Sequence, residues 1–593
     1  MVARELRSGR TLRLSRDDLV QLTAAPFDTG PDALFIAYYA SAEIGCFLAL
    51  GWPPPERVLD LFAEFRRISN GRTLHSTQGE VITRSGLIHA LSAYGLDSIG
   101  GDEKDAMREL IMGGGPWDAA QRAAILDYCE GDVVALARLL PAMLPHILRG
   151  QRGAQVALGQ ALLRGRYMVA AGRIEHAGIP IDVPMLEAMR AGWDRIKTEL
   201  IAKVDAEFGV YEGTTFSAAR FGEYLVREGI PWPVLPSGAL DLKDDTFREM
   251  ARAHPRVAPL RELRAALSEL RLNDLAVGSD GRNRTMLSAF RARTGRNQPS
   301  NSRFIFGPSV WLRGLIKPAE GMALAYVDFR SQEIGIAAAL SGDTGMMAGY
   351  TSGDPYVDFG VRAGILPPGA TKRTHAAERD TLKAVVLGIG YGMGAEALAA
   401  RIGRSLLTAR TLLAKHRQAY PTFWRWSDAV VDHAELHRTL TTVFGWELFA
   451  DAGVNPRSLR NFPMQANGAE MLRLACCYAT EAGLAVVAPV HDAIAIEAPA
   501  ERIDADVLRL RECMERASRE VLGGFTIVAD CEKVVRYPDR YADRRGDVMW
   551  ATVTELLGGE HVRQRTGGVR SCTPLLPQTD TRPSSCFYSS SIS

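Results

Sequence analysis

The chain has almost no net charge: 70 Lys and Arg against 69 Asp and Glu leave +1 over 593 residues. Affinity for a polyanion therefore has to come from local clustering rather than from a global field. The eight cysteines, at positions 46, 129, 476, 477, 513, 531, 572 and 586, include no C-x-x-C pair and no metal-ligand spacing. That argues against a disulfide framework or a zinc site and fits a reducing cytoplasm. No apolar run approaches the length that spans a bilayer, and the opening stretch MVARELRSGRTLRLSRDD lacks the apolar core of a secretory signal. A soluble, cytoplasmic protein with no membrane partner is expected. Solenoid-period repeats are also missing.

What is present is length and an ordinary apolar content, 47% hydrophobic, enough for several domains around a large core. Between Asp280 and Glu320 there is no acidic residue, while Arg282, Arg284, Arg291, Arg293, Arg296, Arg303, Arg313 and Lys317 all fall there. Such a stretch can follow a phosphate backbone, with binding that weakens steeply in salt. Two short apolar runs, ALAYVD and VVAPVHD, end in Asp328 and Asp492, 164 positions apart. Carboxylates at the tips of buried strands are costly unless cations neutralise them. Brought together by folding, the pair can hold two Mg²⁺ ions about 4 Å apart, the arrangement that supports in-line phosphoryl or nucleotidyl displacement.

A third segment lies between the two acids. Arg379, Lys383, Leu387 and Tyr391 recur every four residues, so a helix presents them as one slowly drifting stripe. Its cations suit phosphate oxygens and its aromatic end offers a stacking plane, a surface fit for a nucleoside triphosphate. Gly388, Gly390 and Gly392 point to close approach or bending, since a glycine inside a helix costs about 1 kcal/mol.

In order and spacing these segments resemble motifs A, B and C of the family-A DNA polymerases, the DNA polymerase I type, with a phage- or prophage-like character. Two flanking blocks agree: Thr294-Gly295-Arg296 before motif A, and Arg457-Ser-Leu-Arg-Asn461-Phe-Pro-Met-Gln465 before motif C. The resemblance covers residues 157 to 550. It implies template-directed addition of dNTPs to a primer 3′-hydroxyl by a two-metal mechanism with two Mg²⁺ ions. Asp328 and Asp492 would be the metal ligands and catalytic core. Arg379 and Lys383 would grip the β- and γ-phosphates, with Lys383 also protonating the leaving group. Tyr391 would stack near the templating position, and Leu387 and Tyr356 would complete the nucleotide pocket. Glu333, five residues after Asp328, matches the acid this family places beneath the sugar's 2′ position and is expected to exclude ribonucleotides; the related phage-type RNA polymerases carry a small residue there. Arg296, Arg457, Asn461 and Gln465 match positions that contact the primer–template or nascent pair in the minor groove, where every Watson–Crick pair offers the same acceptors. Arg313 and His491 belong to the same DNA-contact surface.

The chain also departs from the family pattern. Leu387 stands where Phe or Tyr is usual, Ala493 replaces the Glu of His-Asp-Glu, Tyr356 replaces a His in Gly-Asp-Pro-Tyr, and Arg330-Ser331-Gln332 reshuffles motif A. None removes a metal ligand. Without an aromatic hydroxyl at 387, discrimination against dideoxynucleotides is expected.

The N-terminal region resembles the 3′–5′ exonuclease domain of the same family only partly. Tyr128 and Asp132 form its third motif, and Glu43 fits the second-motif carboxylate, but no Asp-x-Glu precedes them and Phe27-Asp28-Thr29-Gly30 reads as a loop. The chain begins as though a first strand were missing, and no efficient exonuclease is expected. The fold class implied is α/β and multi-domain: a truncated RNase H-like exonuclease domain followed by a right-hand polymerase. The divisions run 1–150 (exonuclease-like), 151–275 (thumb), 276–340 (palm, motif A), 341–455 (fingers, motif B), 456–550 (palm, motif C) and 551–593 (a Ser, Thr and Pro-rich disordered tail). Primer–template DNA and dNTPs are the implied partners of a monomer; a processivity factor stays open. The competing readings are a non-catalytic DNA-binding remnant and a nuclease whose own motif set is incomplete.

Overall fold

The computed structural model describes residues 1–96, 101–150, 152–268, 272–307, 309–451 and 453–558. Near the N-terminus, short strands β1 (Phe35–Ala37) and β2 (Val58–Asp60) pair in parallel and flank helix α1 (Ser41–Ala49). Asp60 closes β2 and caps the following helix, accepting from the Ala63 N–H at 2.9 Å and the Ala40 N–H at 2.6 Å. Phe27 to Gly30 lie in bends outside any strand. A 29-residue helix, α2 (Ala119–Ile147), carries Tyr128 and Asp132.

Helix α3 (Ala154–Ala177) fastens this N-terminal region to the rest. Gly165 lies so near β2 that a Cβ would sit 1.8 Å from the Val58 carbonyl oxygen; glycine alone permits that approach. Tyr167, Met168, Ala171 and Ile174 of α3 enter the same apolar core as the central sheet. The sequence reading grouped α3 with the helices after it. Those helices, beginning with Val183–Phe208, instead bury a second cluster around Leu186, Ile196, Phe221 and Phe247, which reaches the other face of the sheet through Leu324 and Val487.

The sheet has four antiparallel strands, β3 (Met322–Phe329), β4 (Ala485–Val490), β5 (Ala493–Pro499) and β6 (Ala529–Arg536), in the order β4-β5-β3-β6. In β3 the period of two sends Ala323, Ala325, Val327 and Phe329 to one core and Leu324 to the other. Tyr326 and Asp328 follow Leu324 on that second face, so the strand delivers its acid to one end of a largely apolar surface.

Helices that bear on the site include α4 (Gln332–Ser341), α5 (Pro355–Arg362), α6 (Ala376–Gly390), α7 (Pro456–Glu481), α8 (Ile503–Val521) and α9 (Asp547–Leu556). α7 is buried over most of its length because small residues, Ala466, Gly468, Ala469 and Ala475 among them, let neighbours close in. The expected start of the tail at 551 falls inside α9, whose Val553 is fully buried and whose Trp550 packs against Trp311; residues 559–593 lie outside the described residues. Among the described residues no helix is long and apolar enough to cross a membrane, and the six described cysteines are free thiols.

Candidate active site

Asp328 is the penultimate residue of β3, and Asp492 sits in the two-residue connection between β4 and β5. The strands are in register so that Ala493, the next residue, lies opposite Asp328, and the Phe329 N–H donates to the Asp492 carbonyl at 3.3 Å. His491 takes φ +58° to make the turn, a left-handed conformation costing on the order of 1–2 kcal/mol. The 164 residues between the acids thus become one strand-to-strand step.

The two carboxyl groups are close enough for each to bear on the other's charge. Burial, then Asp492 and Glu532, holds Asp328 well above the usual carboxylate range. Asp492 is pushed up to about 6, chiefly by burial, against the pull of Arg296 and with the push of Glu333. Oδ1 of Asp328 is buried without a hydrogen-bond partner. Both residues are only half-buried overall, so solvent reaches the recess. A hard divalent cation fits this all-oxygen donor set and would neutralise both carboxylates. Among the described residues no three His, Cys, Asp or Glu side chains gather closely enough to enclose an ion.

Around the pair stands a polar ring. Glu333, in the first turn of α4, lies 3.8 Å from the Arg296 guanidinium and shares a hydrogen bond with the Tyr391 hydroxyl. Burial and the Glu333 charge raise the Tyr391 phenol well above its ordinary value, keeping it a donor. The Asn461 side chain donates to the Tyr391 carbonyl at 3.4 Å, and Gly392, at φ +69°, turns the chain against Arg457. Arg457, Asn461 and Gln465 follow one another at four-residue intervals on α7 and keep some exposure, while Leu459, Phe462 and Met464 between them are buried. His491 is turned outward, its pKa lowered by burial of its surroundings and by Arg296, Arg313 and Arg545.

The α6 stripe runs away from this ring. Leu382, Val385, Val386 and Ile389 form the buried side of α6, and Lys383, Leu387 and Tyr391 are half-exposed. Arg379 differs: it is buried, pairs with Asp354 at 2.5 Å, and lies over the Tyr356 ring. Lys383 approaches the same ring, at 5.9 Å from its centroid. Arg313 is likewise engaged, bonded to Asp543 at 2.8 Å and to the Phe306 carbonyl at 3.2 Å.

The three N-terminal candidates are not joined by any hydrogen bond or ion pair among the described residues, apart from the Tyr128–Asp132 contact within one helix. Asp132 takes Lys104 at 3.8 Å and a hydrogen bond from Tyr128, whereas Glu43 is half-buried, pushed up to about 8 by burial, with Oε2 unpartnered. Sequence reasoning missed Asp354, Asp530 and Glu532. Asp354 was visible in Gly-Asp-Pro-Tyr; Asp530 and Glu532 carry no local signal, since only strand pairing brings them to Asp328.

Fold and site together define an α/β polymerase fold with an acidic pair at the tip of its palm-like sheet. Residues 250–528, somewhat under half of the chain, match the profile of DNA polymerase family A. Similar proteins include the DNA polymerase I of Chloroflexus aurantiacus, 25% identical over 59% of this chain and 40% of that protein, and the thermostable DNA polymerase I of Thermus aquaticus, 24% identical over 58% and 44%. The DNA polymerase of Mycobacterium phage D29 is 27% identical over 42% of this chain and 40% of its own length. The chain therefore matches less than half the length of these relatives. Among solved structures, the POL domain of Pol1 from M. smegmatis, in complex with DNA primer-template and dNTP, superposes with a TM-score of 0.63 over 88% of this chain and 90% of that one at 20% identity.

Proposed function

We propose that this chain is a template-directed DNA polymerase that adds dNTPs to a primer 3′-hydroxyl at the Asp328–Asp492 pair. The observation that carries the reading is that pair: two distant acids brought together at the ends of adjoining strands, one oxygen of Asp328 buried and unpartnered, both carboxyls raised by burial. Two Mg²⁺ ions held there would lower the pKa of the attacking hydroxyl and neutralise charge on the leaving pyrophosphate.

The protein's own groups then have distinct tasks. Lys383, and Arg379 once it exchanges Asp354 for phosphate, hold the triphosphate by charge-assisted hydrogen bonds. Glu333, tied to Arg296 and Tyr391, fills the space beneath the sugar and rejects a 2′-hydroxyl. Arg457, Asn461 and Gln465 offer donors to the minor groove of the nascent duplex. In this reading residues 276–340 and 456–550 are palm, 341–455 fingers and the helices up to 275 thumb. The N-terminal region is an exonuclease-like unit without excision activity, since among the described residues Glu43 shares no hydrogen bond or ion pair with Tyr128 and Asp132.

The test is primer extension by the full chain on a gapped template with Mg²⁺ and all four dNTPs. Templated elongation without removal of a mismatched terminus is expected. Binding without elongation would leave only the DNA-binding remnant.

A further inference from the structure

We infer that Glu532 is a positioning residue for divalent ions at the Asp328–Asp492 pair, standing in from a neighbouring strand for the side-chain carboxylate that Ala493 lacks. The inference rests on the reading of that pair as a metal-dependent nucleotidyl-transfer site.

Two strands flank β3 at Asp328. On β5 the facing residue is Ala493, which offers no side-chain oxygen. On β6 it is Asp530, but both of its oxygens are held by Arg330, at 2.6 and 2.7 Å. One step further the register slips: Tyr326 faces Lys533 and Val327 faces Cys531, so Glu532 is the extra residue of a bulge. Bulges re-aim side chains and gather next to active sites. Here the slip lets Lys533 pack on the Tyr541 ring, 4.2 Å from its centroid, and leaves Glu532 unpaired across the strands. Glu532 is exposed and makes no hydrogen bond or ion pair among the described residues. Along β6 it stands just beyond Asp530, the residue that faces Asp328. The unpartnered, buried Oδ1 of Asp328 independently marks the place where a cation belongs.

Since the three carboxylates do not close into a cage, Glu532 works through water rather than as a direct ligand. A magnesium ion suits that role because it dehydrates reluctantly and keeps several waters. A third negative charge also makes the site more demanding of a cation, as like charges disfavour one another when none is bound.

The experiment titrates the full chain with Mn²⁺, followed by electron paramagnetic resonance without DNA or nucleotide, beside primer extension at varied Mg²⁺. Glu532→Gln should weaken Mn²⁺ binding by roughly ten-fold, the scale of an outer partner, and raise the Mg²⁺ needed for half-maximal extension with little change in DNA affinity. Adding Ala493→Glu should restore both, and Glu501→Gln, beyond the far end of β5, should change neither. Wild-type Mn²⁺ affinity and Mg²⁺ requirement in Glu532→Gln would overturn the inference, as would a double variant that stays at the single variant's level. If the wild type extends primers and Glu532→Gln matches it, this inference alone fails. If the wild type binds Mn²⁺ through Glu532 but never extends, the polymerase reading fails instead.

Discussion

A carboxyl group enclosed by protein keeps its proton unless a cation replaces it, and the chain holds two such places with opposite outcomes. At Asp328 and Asp492 both residues keep some solvent exposure, and the unpartnered Oδ1 of Asp328 offers a cation a place. At Glu43 nothing cationic compensates: burial comes first and Asp60 adds repulsion, raising it from 4.5 to about 8. Between those two values the folded chain holds a proton that the unfolded chain has released. Stability from this group is therefore full at low pH and falls as pH rises toward 8, by about 1.4 kcal/mol per pH unit. Glu43→Gln removes the titration. Melting curves at pH 5, 6.5 and 8 should show the variant gaining on the wild type at each step; a difference independent of pH would contradict the assignment.

At the scale of elements, the features legible in the sequence are those that depend on neighbours along the chain. The apolar runs before Asp328 and Asp492 are strands, and the four-residue stripe is helix α6. What was not legible depends on pairing across the chain. The bulge at Glu532 exists only relative to β3, the Arg379–Asp354 pair joins segments 25 residues apart, and α3 takes its place in the core through glycine contacts with β2 and α1. His416 is of the same kind. Its helix, Leu406–Ala419, looks ordinary as text, yet the ring is caged by Phe359, Tyr420, Phe423 and Trp424, and its Nδ1 accepts from the Trp424 indole at 3.1 Å. Burial lowers its pKa from 6.5 to about 3. The unfolded chain takes up a proton below 6.5 that the folded chain refuses, so stability is lost as pH falls from there toward 3. Urea denaturation between pH 7 and 4 should show a shallower acid loss for His416→Gln than for wild type; an unchanged slope would count against it.

Over the whole molecule, the N-terminal region is not an appendage. Glu64 is fully buried and bonds both Arg67 and Arg164 of α3, while Arg67 also reaches Glu447, a residue 380 positions away. Removing one member of a buried ionic network strands its partners, at a cost of about 3–5 kcal/mol. Glu64→Ala should accordingly lower the midpoint of a single cooperative unfolding transition, followed by both near- and far-ultraviolet circular dichroism. Separate melting of the N-terminal region, with the remainder unaffected, would show the joint to be unimportant.

The most direct test of the account compares the wild type with Asp328→Asn in Mg²⁺-dependent primer extension, with DNA binding measured in parallel. Templated elongation by the wild type is predicted, with a loss in the variant of roughly a thousandfold or more, about 4 kcal/mol of transition-state stabilisation, and primer–template affinity largely kept. Near-normal elongation by Asp328→Asn would contradict it.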